Sequence, residues 1–319
     1  MRIVKAKHIR TKSATKSAAF TLIELLVVLA IVAVLVGILL PSLAAARSSA
    51  RTVACLSNQR QLITAWSMYA NDYRERVMPL AYWDEPDIGT GPQVFWWGTH
   101  GSATTQVEHE RGFIAPYINA ALTQRSVFEC PIQAWGTYRA QGPGRQPTST
   151  YGYNGYYLSP SKTPGWGSAI GHRPWRRIGE LRQPEQVVVF ADALLGGDPA
   201  RNSALLDPPL LFVGGGEAGN SGGSGASANE SSGTSRGERL RASALWEVNQ
   251  FPTTAFRHAS AKGAGSHASS IGAAAAVFAD SSARPIAGKP EWLSQQDPAI
   301  GSIEGEDSLI YVPDAEDWR

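Results

Sequence analysis

The sequence predicts an α+β fold: a long N-terminal helix, its first half fit to span a membrane, packed on an antiparallel sheet with long loops. Three observations predict it. An apolar run fills residues 20–40, and an amphipathic pattern of helical period continues to about residue 73. The rest of the chain is rich in Gly, Pro and aromatic residues, with short β-like runs between them. The implied organisation is a basic leader at 1–19, a transmembrane helix at 20–40, its amphipathic continuation at 41–74 and a globular α+β region at 75–319.

The leader holds Arg2, Lys5, Lys7, Arg10, Lys12 and Lys16 and no acid. The whole chain has 29 Lys and Arg against 27 Asp and Glu; without those six cations the remainder holds 23 against 27, a balance of −4. The basic charge therefore belongs to the leader. The bulk of the protein lacks the cationic footprint of a nucleic-acid binder, and no nucleic-acid partner is expected.

Phe20 to Leu40 reads FTLIELLVVLAIVAVLVGILL. At helical rise this run extends about 31 Å, the thickness of a bilayer core. Six basic residues precede it and only Arg47 and Arg51 follow closely, which puts the N-terminus in the cytoplasm and the C-terminal bulk outside. A secretory signal peptide fits less well, because its apolar region is shorter and ends in a small-residue cleavage site. Here the chain runs on through Pro41 into more helix. Glu24 is the one charge in the run, and a carboxylate in lipid is costly unless it meets a partner.

Beyond Pro41, Leu62, Ala65, Trp66, Tyr69 and Tyr73 recur at helical spacing, with Arg60, Gln61, Asn71 and Asp72 between them. The pattern predicts one helix from about Thr21 to about Tyr73, broken or bent near Pro41. Downstream, β-like runs occur at 185–192, 210–213, 274–279 and 309–312, which suit an antiparallel sheet laid on the helix. Residues 214–237 are a Gly/Ser-rich tract and read as a flexible loop; the small, polar stretch 259–276 reads similarly.

Candidate chemical sites are few. Cys55 and Cys130 are candidate disulfide partners in a compartment that permits the bond, although a separation of this length does not establish it. Neither lies in a CxxC or a local Cys/His cluster, so the sequence predicts no metal site. His258 with Asp192 or Asp280 reads as a packed or hydrogen-bonded pair, since two residues without a third ligand do not make a metal site. The late acidic residues Glu304, Glu306, Asp307, Asp314, Glu316 and Asp317 offer oxygen ligands for calcium. Their spacing fits no EF-hand loop, and a solvated acidic surface is the preferred reading. Gly219-Asn220-Ser221-Gly222-Gly223 matches G-x-S-x-G inside a tract that forms neither the strand nor the helix the motif needs. Tyr82, Trp83, Phe95, Trp96 and Trp97 read as core before they read as a sugar-stacking surface. No cofactor and no catalytic residue is predicted, and an enzyme is not expected.

The segment Ala18-Ala19-Phe20-Thr21-Leu22-Ile23-Glu24 resembles the prepilin cleavage and methylation motif, whose usual form is Gly followed by Phe-Thr-Leu-Ile-Glu. The resemblance implies that a prepilin peptidase cuts between Ala19 and Phe20 and methylates the new amino terminus at Phe20. Ala19 stands where the family nearly always has Gly. It further implies that Glu24 neutralises the amine of a neighbouring subunit during assembly, and Pro41 matches a Pro the family often carries there. Cys55-Leu56-Ser57-Asn58-Gln59-Arg60-Gln61-Leu62 with Tyr69-Ala70-Asn71-Asp72-Tyr73 is similar to the large pseudopilin-like proteins of planctomycetes and verrucomicrobia. Val127–Pro131, Ser149–Asn154, Phe256-Arg257-His258 and Ala276–Asp280 echo the same group. That group usually has Ala-Asp-Gly-His where this chain has Ala-Asp-Ser-Ser, so this is a divergent member.

These resemblances imply a pilin-like fold and a structural role as a pseudopilin of a type II secretion system or a related type IV filament. Implied partners are the prepilin peptidase, other pilin-like subunits and an inner-membrane assembly platform, with the globular region exported to the periplasm or cell surface. Two other readings stay open: a type IV pilus subunit for adhesion, motility or DNA uptake, and a membrane-anchored binding domain on a pilin-like anchor.

Overall fold

The computed structural model describes residues 21–83, 85–100, 108–118, 126–133, 149–164, 167–195, 202–212, 246–249, 252–258, 272–288, 300–301 and 311–313. Helix α1 spans Leu22–Asp72. The strands, in chain order, are β1 (Ala81–Tyr82), β2 (Gln93–Phe95), β3 (Gly98–His100), β4 (Tyr151–Tyr153), β5 (Val188–Asp192), β6 (Leu210–Phe212), β7 (Trp246–Val248), β8 (Thr254–Ala255), β9 (Ala273–Phe278), β10 (Ala283–Ala287) and β11 (Ile300–Gly301). The chain divides into two units, Met1–Arg47 and Ser48–Arg319. The C-terminal part of α1 thus belongs to the globular unit.

In the first unit the apolar side chains of α1 from Leu22 to Leu40 are exposed. The helix is long and apolar enough to cross a membrane. It is not broken at Pro41, which lies inside it. Proline removes one backbone donor from the ladder. The carbonyl that loses its donor is that of Gly37, four residues back; Ser42 Oγ bonds a different one, donating to the Leu39 carbonyl at 2.8 Å.

In the second unit α1 buries Cys55, Gln59, Leu62, Ile63, Ala65, Trp66, Tyr69 and Ala70. These recur every three or four residues, so they form one stripe. Tyr73, read from the sequence as part of that stripe, is exposed and stacks on Tyr69 with ring centroids 4.2 Å apart. The helix ends because Arg74 and Glu75 both adopt left-handed φ, 57° and 66°. The Glu75 amide donates back to the Ala70 carbonyl at 2.7 Å, a six-to-one bond that closes the last turn.

The stripe lies against a four-stranded antiparallel sheet of order β10-β9-β5-β4. Strand β9, Ala-Ala-Ala-Ala-Val-Phe, is buried throughout. Its small side chains admit the helix closely: Gln59 Nε2 donates to the Ala275 carbonyl at 2.8 Å. Strand β10 is the edge and carries Arg284 and Pro285, residues that discourage further strand pairing. Around this sheet lie β1-β2-β3 and the two-stranded pairs β6-β7 and β8-β11. The largest fully buried side chains include Trp66, Trp96, Tyr151, Tyr153, Phe128 and Phe190.

Three of the sequence-predicted strands fall where the runs indicated, at β5, β6 and β9. Strand β9 begins at Ala273, so the end of the small-residue stretch 259–276 is sheet. At 309–312 the described residues Tyr311 and Val312 are buried but lie outside any strand. They pack as core without joining a ladder. The leader, the tract 214–237, Gly219–Gly223 and the late acidic residues fall outside the described residues.

Candidate functional site

Ala19 and Phe20 lie outside the described residues, but the start of α1 does not. Thr21 Oγ1 accepts the Glu24 amide at 3.3 Å, and Glu24 Oε2 accepts from both the Thr21 amide and the Thr21 hydroxyl, at 2.9 and 2.7 Å. This is a reciprocal capping box. Thr and Glu three residues apart satisfy donors that a helix start otherwise leaves open. Glu24 therefore has a local partner within its own chain.

A second site is assembled from four distant segments of the globular unit. Cys55 comes from the buried stripe of α1, Cys130 from the turn at 126–133, Asp192 from the end of β5 and His258 from just after β8. All four are buried, and their ligand-type atoms lie within 4.8 Å of one another. His258 Nε2 is 3.0 Å from Asp192 Oδ2 and 3.7 Å from Cys130 Sγ. Cys55 Sγ is 3.6 Å from Asp192 Oδ1 and 3.3 Å from the Tyr151 hydroxyl. Both cysteines are free thiols in this structure.

The surrounding chain holds these groups in place. Thr52 Oγ1 donates to the Ser48 carbonyl at 3.2 Å, so toward His258 Nδ1, 3.0 Å away, it acts as acceptor. Nδ1 then carries a proton and Nε2 is the nitrogen turned to the cluster. Asp192 Oδ2 accepts the Ala275 amide at 2.8 Å, and Arg257 stands 3.6 Å from Asp192 Oδ1. Arg257 is itself fixed by the Ala193 and Thr150 carbonyls, at 2.6 and 3.2 Å. His258 and Ala273 exchange both backbone bonds, at 2.8 and 2.7 Å. The turn carrying Cys130 is tied to α1 by Asn58 Nδ2, which donates to the Glu129 carbonyl at 3.0 Å.

The electrostatics are those of a dry charged cluster. Burial, contact with Cys130 and the Asp192 charge push the Cys55 thiol well above its ordinary range. Contact with Cys55 lowers Cys130 against the opposing effect of burial, and His258 and Arg257 lower it further. Burial pulls His258 down, but its bonds to Asp192 and Cys130 prevail and raise it to about 9.

The arrangement is unsuited to a cysteine nucleophile. In such a triad the carboxylate orients one imidazole nitrogen while the thiol faces the other. Here Asp192 and Cys130 both face Nε2, and Thr52 occupies Nδ1.

His258 therefore pairs with Asp192. Asp280 is exposed in the β9–β10 turn, where its carboxylate accepts the Ser282 amide at 2.8 Å. The sequence expectation that neither cysteine belongs to a Cys/His cluster does not hold in space. The cluster was hidden because its members come from separate segments. Of the aromatic group, Trp96 and Trp97 are buried, while Tyr82 lines a groove of about 310 Å³ with Tyr69, Trp175, Arg74, Arg76 and Arg177.

A long apolar helix followed by antiparallel sheets gives the α+β arrangement of a pilin-like protein. Residues 14–40 match the prokaryotic N-terminal methylation motif. That match and the apolar helix support a type IV pilin-like protein of the kind processed by a prepilin peptidase, with the helix as a membrane anchor. No curated protein and no solved structure matches the chain.

Proposed function

We propose that the protein is a structural subunit, a pseudopilin of a type II secretion system or of a related type IV filament, and not an enzyme. The observation that carries this reading is the methylation motif at 14–40, leading into a helix whose apolar side chains from Leu22 to Leu40 are exposed. A surface of this kind calls for lipid before assembly and for neighbouring helices after it. The six leader cations hold the N-terminus in the cytoplasm, and the globular unit is exported. Cleavage between Ala19 and Phe20 removes the leader and exposes an α-amine beside Glu24. The capping box holds the Glu24 carboxylate at that end of the helix, where it neutralises the amine of an adjacent subunit.

Intact mass and N-terminal sequencing of the protein from native membranes, with and without the prepilin peptidase, test the proposal. A peptidase-dependent chain beginning at methylated Phe20, cross-linkable to like subunits through residues 22–40, is the expected result. A chain that keeps Met1 in both strains overturns it and leaves an anchored binding domain.

A further inference from the structure

We propose that Cys55, Cys130, Asp192 and His258 form a closed structural site for one zinc ion, bound by two thiolates, one imidazole and one carboxylate. The inference rests on the globular unit alone and does not depend on filament assembly.

Geometry is the first support. Tetrahedral zinc with bonds of about 2.3 Å to sulfur and about 2.0–2.1 Å to nitrogen or oxygen sets ligand separations of about 3.3 Å between N and O and about 3.5 Å between S and either. The separations are 3.0 Å for His258 Nε2–Asp192 Oδ2, 3.7 Å for Cys130 Sγ–His258 Nε2 and 4.0 Å for Cys55 Sγ–Asp192 Oδ2, with Asp192 Oδ1 nearer to that sulfur at 3.6 Å. The first two are within a few tenths of an ångström of the edges of a coordination tetrahedron, and all four ligand atoms lie within 4.8 Å of one another before any ion draws them together. A sulfur and an oxygen converge on the same nitrogen, Nε2, as they do when all three face one ion.

The second support is the surrounding shell. A ligating histidine usually donates its other ring N–H to a fixed acceptor, and a ligating carboxylate is itself hydrogen-bonded. Thr52 serves His258 Nδ1 in this way, and the Ala275 amide serves Asp192. The third is charge. Two thiolates and a carboxylate carry three negative charges; zinc supplies two positive charges and Arg257 the third. Filling the site releases the protons held by the cysteines and by His258 Nε2, as metal binding to such ligands does. Four protein donors leave no open position, so the ion is structural and performs no hydrolysis. Mixed thiolate and imidazole donors favour zinc over calcium or magnesium.

The rival outcome is a Cys55–Cys130 disulfide. The experiment takes the full-length protein, purified in detergent without chelators, and measures metal by plasma mass spectrometry alongside thiol alkylation under denaturing, non-reducing conditions. Expected are one zinc per chain and two alkylatable thiols. Replacement by Co²⁺ should give a thiolate-to-cobalt charge-transfer band and the intense visible bands of a tetrahedral site. Cys130→Ser should lose the metal. Because that variant can fail to fold, Thr52→Val is the second test: it keeps all four ligands and should weaken Zn²⁺ affinity about 10–100-fold. A disulfide without metal overturns the proposal. So do two free thiols that take up neither Zn²⁺ nor Co²⁺, and so does unchanged affinity in Thr52→Val.

Discussion

Replacing Tyr153 by Phe tests how the second half of α1 is fixed to the sheet. The Tyr153 hydroxyl accepts the Trp66 indole N–H at 3.1 Å and donates to the Met78 carbonyl at 2.6 Å. Both Trp66 and Tyr153 are fully buried, out of contact with solvent. The substitution removes one atom and strands two partners, a donor on the helix and an acceptor just after it. Each buried polar group left unpaired costs about 1–3 kcal/mol, so about 3 kcal/mol in all is expected. For a unit of this size about 2–4 °C of melting temperature is lost per kcal/mol, which gives a drop of about 6–12 °C. The assay is a thermal melt in detergent followed by near-ultraviolet circular dichroism, a signal to which the buried aromatics contribute. Trp66→Phe and the double variant complete a cycle. Residues sharing one bond should couple by about 0.5–3 kcal/mol. A Tyr153→Phe melt within 2 °C of the parent, or strict additivity in the cycle, would refute the packing of Trp66 against β4 as described.

Other substitutions probe separate links. A Cβ at Gly272 would sit 2.3 Å from the Phe256 carbonyl and 2.9 Å from that of His258. Gly272→Ala should therefore force β9 away from His258, at about 1–3 kcal/mol, and lower the melting temperature measurably. Asn58→Ala removes a single bond to the Glu129 carbonyl, which Tyr151 also serves at 3.3 Å. A loss of about 1 kcal/mol and faster amide exchange confined to residues 126–133 are expected. Burial lowers the His109 pKa despite its bond to the Trp97 carbonyl. A depressed folded value means that the neutral ring is favoured by folding, so stability should fall as pH drops below about 6.5. His109→Gln should flatten that part of the profile, read as melting temperature against pH. At the leader, Ala19→Gly restores the residue the processing motif usually has, and pulse-chase labelling should show a larger processed fraction than the parent; no change would leave Ala19 without influence on processing.

The parts of the molecule legible in the sequence are those written in local periodicity. A run of apolar residues and a 3.6-residue stripe gave α1 to within a residue or so at either end. β-branched and aromatic clusters gave β5, and the Ala-Val-Phe run gave β9. Termination of α1 by two left-handed residues was not legible, because Arg and Glu carry no signal for that conformation. One helix through Pro41 was legible, but that it does not break there was not, because proline's local penalty is visible in sequence and the geometry of the surrounding helix is not. The Cys55–Cys130–Asp192–His258 cluster was illegible as a whole. Metal-site spacing rules work for ligands on one turn or one hairpin, and these four arrive on a helix, a turn, a strand end and a bridge. A faint signal existed in the patches around them. Asn58, Thr150, Tyr151 and Tyr153 are the residues that bind the Cys130 turn and the helix together, through the Glu129 carbonyl, the Cys130 amide and the Trp66 indole.

The inner stripe of α1 is made early in synthesis and covered late. Thr52 and His258 are 206 residues apart, and Gln59 reaches Ala275 across 216. Until β9 has been made, Gln59 lacks the Ala275 carbonyl, and until His258 has been made the turn bearing Cys130 has no histidine to meet. Closing loops of this length adds little further entropy per residue, but it delays the contacts that offset that entropy. A chain cut short before residue 273 would carry the methylation motif and the helix but lack the strand that meets Gln59. The fold is in this sense a proofreading step: only a chain made through β9 can fully cover the stripe on which the globular unit is built.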